Sequence, residues 1–485
     1  MPIRILFAHA AAAAAILLAA CSDRESGPVT VAAIGGPPVL VNPNLAALDP
    51  PSSFLLEAVA QGLVRFDASG EIEPALAQSW IVSDDGLRYT FRIRRTQWAG
   101  GGRVTAQQVV TRLRAALSPA SRNPLKPILG AVSAIEPMTD EVLEIVLRSP
   151  RPNFLQLLAQ PEMAILAENR GTGPYAATPG SGGSVLLALP PPEEEDDLPA
   201  RSDAPVALRG EPASAAIARF AAGGADLVTG GTTGDLPLAR AAGMPVTALQ
   251  FDPVAGLFGL MFTRSEGLLA DAAARRALSM ALDRGAIVAA LRVPALLPRL
   301  TLLPGGLEEV PAPAAADWAA APFAARRQEA ARTIADLSDG EPVRVRVAMP
   351  AGPGYRLLFA WLRRDWRAIG VEAERVAGDA DADLRFVDLV APSTIAPWYL
   401  RHFTCDRAVV CDPAADNALA AARQTADPLE RRRLLAEADR LLTETAAFVP
   451  IAAPVRWSLV SPRLTGFRRN IFGRHPPGEL IADEG

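Results

Sequence analysis

A chain of 485 residues exceeds what one ordinary hydrophobic core organises, so two or three packed units are expected. Hydrophobic residues at 50% and charged residues at 21% are usual for a globular protein, and a formal charge of −5 leaves no electrostatic footprint for nucleic acid. The 44 prolines and 37 glycines are spread along the chain, which predicts many loops between short elements.

In chain order, Arg4 supplies a charged start, and Ile5 to Leu18 is an apolar run too short to read as a membrane span. Residues 1–20 therefore read as a signal peptide. Leu18-Ala19-Ala20-Cys21 resembles the bacterial lipobox, whose cysteine thiol receives a diacylglycerol. Val29 to Ala33 reads as a first buried strand, Asn42 to Pro51 as irregular, and Phe54 to Leu63 as a helix with Leu55, Leu56, Val59 and Leu63 on one side.

The stretch from Ala75 to Arg114 is the most informative. Arg88 to Ile93 alternates polar and apolar side chains as a half-buried strand does, after a turn at Ser83-Asp84-Asp85-Gly86. Trp80 and Trp98 are its expected packing anchors. Thr105 is placed to cap a helix with Val109, Val110 and Leu113 inward and Gln107, Gln108, Arg112 and Arg114 outward. Leu76-Ala77, Trp80, Ser83, Asp85-Gly86 and Tyr89-Thr90-Phe91, followed by Trp98 and Thr105-Ala106, resemble the signature of family 5 extracellular solute-binding proteins. These are the peptide-, dipeptide- and nickel-binding components of ABC importers.

Further along, Glu141 to Leu147 alternates as a strand and Phe154 to Leu158 reads as a short helix. Gly171 to Tyr175 is similar to the family's return loop to the first lobe. Leu189 to Asp197 departs from the family, and its Pro190-Pro191-Pro192 and acidic 193–197 run read as a solvated loop, with a cation or basic-peptide collar as the alternative. Ala215 to Asp226 reads as an amphipathic helix and turn, the glycines from Gly223 to Gly234 as turns, and Phe258 to Phe262 as a buried strand. Asp271 to Ile287 resembles the family's second signature helix, with Asp271 as cap and partner of Arg275, and Leu303 to Gly306 fits its proline-glycine loop. Val343 to Met349, Leu357 to Ile369 and Val371 to Val376 read as a β-α-β unit with Gly370 closing the helix. Pro428 to Thr443 reads as a last long helix.

The resemblance implies an α/β, two-lobed periplasmic-binding-protein-like fold (type II, cluster C-like) with an extra β-rich subdomain. The expected division is lobe I at 28–65, 171–252 and 455–485, the subdomain at 66–170 attached to lobe I, and lobe II at 253–454. The lobes would join near Asp252 to Gly256 and near Pro450 to Trp457. The function implied is capture of a peptide or similar small solute between the lobes and its delivery to an ABC permease, by a monomer lipid-anchored in the cell envelope. An envelope scaffold that has lost its ligand, or an exported hydrolase, are the alternatives.

Catalytic residues and cofactors are not expected, since His402 and His475 have no nucleophile elbow or His-Glu-x-x-His helix to work with. The third histidine, His9, lies in the signal peptide, so side-chain ligation of nickel is unexpected, leaving only a chelate in which the small molecule holds the metal. Cys405 and Cys411 read as a disulfide, against free thiols or half a metal site. In peptide-binding relatives an aspartate four residues before a proline anchors the ligand's ammonium, and Asp388 keeps that spacing to Pro392, although Arg385 stands where an aromatic is usual. Asp388 reads equally as a cap of the turn. Trp398 and Tyr399 are candidate pocket walls, with a core role as the alternative, and Tyr175 and Asn44 complete the expected ligand set.

Overall fold

The computed structural model describes residues 27–151, 153–190 and 204–482. The signal peptide, Cys21 and the acidic run 193–197 lie outside the described residues.

The first lobe is built on a seven-stranded sheet in the order Leu249–Asp252, Arg456–Val460, Leu227–Thr232, Val29–Ile34, Val206–Glu211, Val185–Ala188, Ala176–Pro179. Val29–Ile34 is central, parallel to both of its neighbours. Alternation along it loads both faces: Val29, Val31 and Ala33 pack with Phe54, Leu55 and Tyr175, while Ala32 packs with Ile217, Val228 and Trp457. The glycines at 230 and 231 are strand residues at a β-bulge, not a turn, with Gly230 at φ 82. Gly231 lies flat against the Trp457 ring, where a Cβ would come within 2.3 Å.

The helix expected over 54–63 runs over Pro50–Val59, capped by Asp49, which accepts from Ser52 N at 3.0 Å. Pro50 fits the first helical position because its missing N–H is not needed there. The helix stops at Val59 because the return loop takes its last carbonyls: Gly173 N donates to Val59 O at 3.0 Å and Tyr175 N to Ala58 O at 3.1 Å. A Cβ on Gly171 would lie 2.1 Å from Val59 O, so this approach admits only glycine.

A small antiparallel sheet follows, in the order Ala77–Val82, Arg88–Ile93, Val142–Leu147, Val132–Pro137. Its turn forms as expected: Asp85 Oδ1 accepts from Leu87 N at 3.0 Å, and Gly86 takes φ 67. Thr105 and Gln108 make a reciprocal capping box on Ala106–Leu117, and Trp98 is buried and donates to Gln108 at 3.1 Å. Trp80 is only half-buried, so Trp98 is the stronger anchor.

The second lobe carries a five-stranded sheet in the order Val371–Ala377, Val343–Met349, Leu384–Val390, Gly256–Phe262, Phe448–Pro450. The β-α-β unit is present, its helix beginning earlier than expected, at Pro353, and ending before Gly370 at φ 83. The 271–287 segment is two helices, Ala272–Met280 and Arg284–Leu291. Asp283 breaks it, accepting from Ala286 N at 2.9 Å as a fresh cap while its own N donates to Asp365 at 2.8 Å. Arg275 does not reach back to Asp271 but turns inward, donating to the carbonyls of Leu269 and Thr445 at 2.7 Å each. Arg284 is buried likewise, donating to Pro450 O at 2.6 Å, and burial lowers its pKa to about 9.

The chain crosses between the large sheets twice, at 253–255 and 451–455. Arg299 spans both crossings, donating through Nη2 to Gly256 O and to Ala452 O. Buried apolar side chains of the small sheet and of the second lobe form one continuous cluster, so the small sheet also bears on the second lobe. Cys405 and Cys411 are bonded, six residues apart, with Cα atoms 5.1 Å from each other. On the chain-entropy argument so short a loop contributes roughly 2 kcal/mol. Replacing both with serine is expected to lower the unfolding free energy by about that amount in urea titrations, and an unchanged midpoint would contradict it.

Candidate functional site

The two lobes meet along a seam, part of which is backbone against backbone. Leu227–Thr232 ends in Thr233-Gly234, and Gly354, in the first turn of the helix Pro353–Arg367, donates to Gly234 O at 2.8 Å. A Cβ on Gly354 would sit 1.8 Å from Thr233 O, and one on Gly234 would sit 2.7 Å from the Tyr355 ring.

Asp388 lies beside this contact, on the strand Leu384–Val390, with its side chain 5% exposed. Its two carboxylate oxygens are both taken: Arg456 of the first lobe donates to Oδ1 at 2.7 Å, and the Tyr355 hydroxyl donates to Oδ2 at 2.6 Å. Arg456 also reaches the Asp388 carbonyl at 3.1 Å. Burial, reinforced by the Asp388 carboxylate, pushes the Tyr355 phenol well above its usual pKa, so it stays a donor. Asp388 therefore does not cap the turn before Pro392. It is an ion-pair partner across the seam.

A second set of contacts joins the small sheet's flank to the second lobe. Asn153 donates to Thr394 Oγ1 at 2.9 Å, Gln160 to Pro392 O at 2.7 Å, and Ser393 to Gln156 at 3.0 Å. Arg474, from the C-terminal segment, then ties Gln160 at 3.0 Å to Ser53 at 2.9 Å and Glu57 at 3.1 Å in the first lobe. Burial raises the Glu57 pKa against the pull of Arg474, and nearby Glu162 adds to the rise. A cavity of about 50 Å³ is lined by Glu57, Gln61, Arg65, Gln160 and Arg474. That is room for water, between the first lobe and the small sheet's flank. The lobes are held together by the bonds from Asn153, Gln160 and Ser393 and by the Arg456–Asp388 pair.

The other expected ligand residues are scattered. Trp398 and Tyr399, on Ala396–Leu400, are 5% and 0% exposed and meet edge to face at 4.8 Å, with Trp398 also against His402. They are core, not open walls, and burial pushes the Tyr399 hydroxyl to about 12. Tyr175 is 4% exposed within the first lobe's core. Asn44 accepts from Asn123 at 2.9 Å and fastens its loop to the small sheet's flank. His402 and His475 sit in different lobes, the first with Nδ1 at 2.8 Å from Trp398 O, the second 3.2 Å from Asp252. Among the described residues no three His, Cys, Asp or Glu side chains gather as a metal site.

Sequence reading missed Arg456 and Arg474. Both carried a faint signal, a lone arginine beside an apolar run in Arg456–Val460 and one inside Gly473-Arg474-His475-Pro476, but neither spacing shows which carboxylate it meets.

The middle region of bacterial extracellular solute-binding proteins, family 5, matches residues 71–186. The nickel-binding periplasmic protein of Escherichia coli is 32% identical over 161 residues, which is 33% of this chain and 29% of that protein. The similarity thus spans under a third of that relative's length. The murein tripeptide binding protein MppA of Escherichia coli has the same fold, with a TM-score of 0.77 at 18% identity over 94% of this chain and 97% of that one. Against the unliganded open form of MppA the TM-score is 0.67, at 18% identity over 94% and 96% of the chains.

Proposed function

We propose that this chain, a family 5 extracellular solute-binding protein, is the capture component of an ABC importer, closing on a peptide or similar small solute and presenting it to a membrane permease. Residues 28–65, 171–252 and 455–485 act as lobe I, 66–170 as the subdomain and 253–454 as lobe II. The observation that carries this reading is the seam: two sheets joined by two short crossings, held shut by side chains from opposite lobes. A solute that bridges both lobes shifts such an equilibrium by its differential affinity for the closed form. No bond is broken in this cycle. The protein acts as a monomer outside the cytoplasm, tethered through lipid on Cys21.

Asp388 is the proposed ammonium site. Arg456 occupies the carboxylate, so an incoming ammonium takes the place of one charge-assisted partner and leaves the Arg456 guanidinium, 20% exposed, to Val455 O and water. Affinities of Asp388→Asn and parent protein for one peptide, unblocked and N-acetylated, test this by calorimetry. The unblocked peptide is expected to lose about tenfold in the variant while the acetylated one is indifferent. Equal losses for both peptides, or none, would limit Asp388 to its pairing with Arg456.

A further inference from the structure

The strand Leu227–Thr232 reaches the seam at one end, and at its other end the first lobe carries a groove of about 740 Å³. Its lining is apolar at Phe220, Ala225, Leu464 and Phe467, and Arg468 and Arg469 stand exposed on it. Among the described residues neither arginine has a carboxylate within ion-pair range; Arg468 donates only to the carbonyls of Thr465 and Phe467. Val246, between the lining residues Pro245 and Thr247, is 91% exposed, the most open large apolar side chain among the described residues.

The start of the described chain is fastened at this groove. Arg463 donates to Gly27 O and to Pro28 O, and pairs at 3.2 Å with Asp226, itself part of the lining. Gly27 lies six positions after Cys21, a stretch of chain that reaches at most about 20 Å. A lipid on Cys21 therefore holds this end of the first lobe within that distance of a bilayer surface, while the seam lies at the opposite end of the sheet.

We infer that the groove face rests on the bilayer, with anionic headgroup phosphates taken by Arg468 and Arg469 and with Val246 entering the interface. The inference builds on the lipid reading of Cys21. Guanidinium forks suit phosphate, and a basic patch beside a lipid anchor adds an electrostatic attraction to anionic headgroups that orients the tethered protein.

The test uses the full chain with Cys21 intact, extracted from membranes and reconstituted in vesicles of phosphatidylethanolamine and phosphatidylglycerol containing nitroxide lipid. With Cys405 and Cys411 bonded and Cys21 acylated, Val246→Cys and Leu429→Cys each offer one thiol for a fluorophore; Leu429 is 72% exposed on the second lobe. Quenching at 246 is expected to exceed that at 429 by about twofold or more, and to fall to the 429 level in Arg468→Glu/Arg469→Glu. Equal quenching at both positions, in protein that floats with the vesicles, overturns the docking and leaves the lipid reading standing. Failure to float, matched by Cys21→Ala, overturns the lipid reading and this inference with it.

Discussion

Replacing Arg456 with methionine is expected to lower the unfolding free energy by about 3 kcal/mol and to loosen the closed form in the absence of ligand. The reason is asymmetric: a buried ion pair is worth little against an apolar pair, but removing one partner strands the other. Asp388 would keep only the Tyr355 hydroxyl, with its other oxygen unpaired in a site 5% exposed. The protein has two ways to relieve that cost, unfolding or parting the lobes so that water reaches the carboxylate. Parting the lobes breaks far fewer contacts, so it comes first as conditions grow harsher. Small-angle scattering should show a larger radius of gyration for the variant without ligand, and the affinity for unblocked peptides should rise because Asp388 is vacated. Arg456→Lys keeps the charge but not the second bond to the Asp388 carbonyl, and should fall between. An unchanged radius of gyration together with an unchanged urea midpoint would remove the pair from any part in closure.

Arg431→Met is expected to cost about 4 kcal/mol, the largest single loss in the second lobe. Arg431 and Glu309 have side chains 6% and 4% exposed and meet at 2.6 Å. Glu309 also accepts from Ala396 N at 3.1 Å, and Arg431 donates to Ala422 O at 2.7 Å. The pair thus fixes the start of Ala396–Leu400, the short helix that carries Trp398 and Tyr399, against the long helix Pro428–Glu444. Without the guanidinium, Glu309 is a buried charge held by one amide. The double variant Arg431→Met/Glu309→Leu should recover most of the loss, short of about 1 kcal/mol for the unpaired Ala396 amide. Urea titration of the two variants checks both numbers, and a double variant no better than the single would show that packing, not charge, sets the cost.

Much of this fold is legible in local pattern. Arg88 to Ile93 and Val343 to Met349 alternate, Thr105 caps its helix, and Gly370 closes its own, because each of these signals is exchanged between residues a few positions apart. What failed locally failed for the same reason. Asp283 looks like a mid-helix residue until Asp365, 82 residues on, accepts its amide and makes it a cap. The site is less legible than the fold. Asp388 was singled out by its spacing to Pro392, but its partners are 33 and 68 residues away, and no spacing announces Tyr355 or Arg456. Trp398 and Tyr399 illustrate the converse, since an aromatic pair looks the same in sequence whether it faces a ligand or a core.

The guanidinium of Arg299 turns two connections into one. Independent strands between two bodies would let the bodies swivel about either strand as well as fold toward each other. Bonded at Gly256 and Ala452 to the same nitrogen, the crossings keep a fixed separation, as the two leaves of a door hinge share one pin. Rotation about an axis along a single strand would shear that nitrogen from one carbonyl, leaving a buried acceptor unpaired. What remains is a bend about the line through both carbonyls. A bend of that kind would part the two faces of the seam and bring them back in register, Gly354 to Gly234 and Arg456 to Asp388.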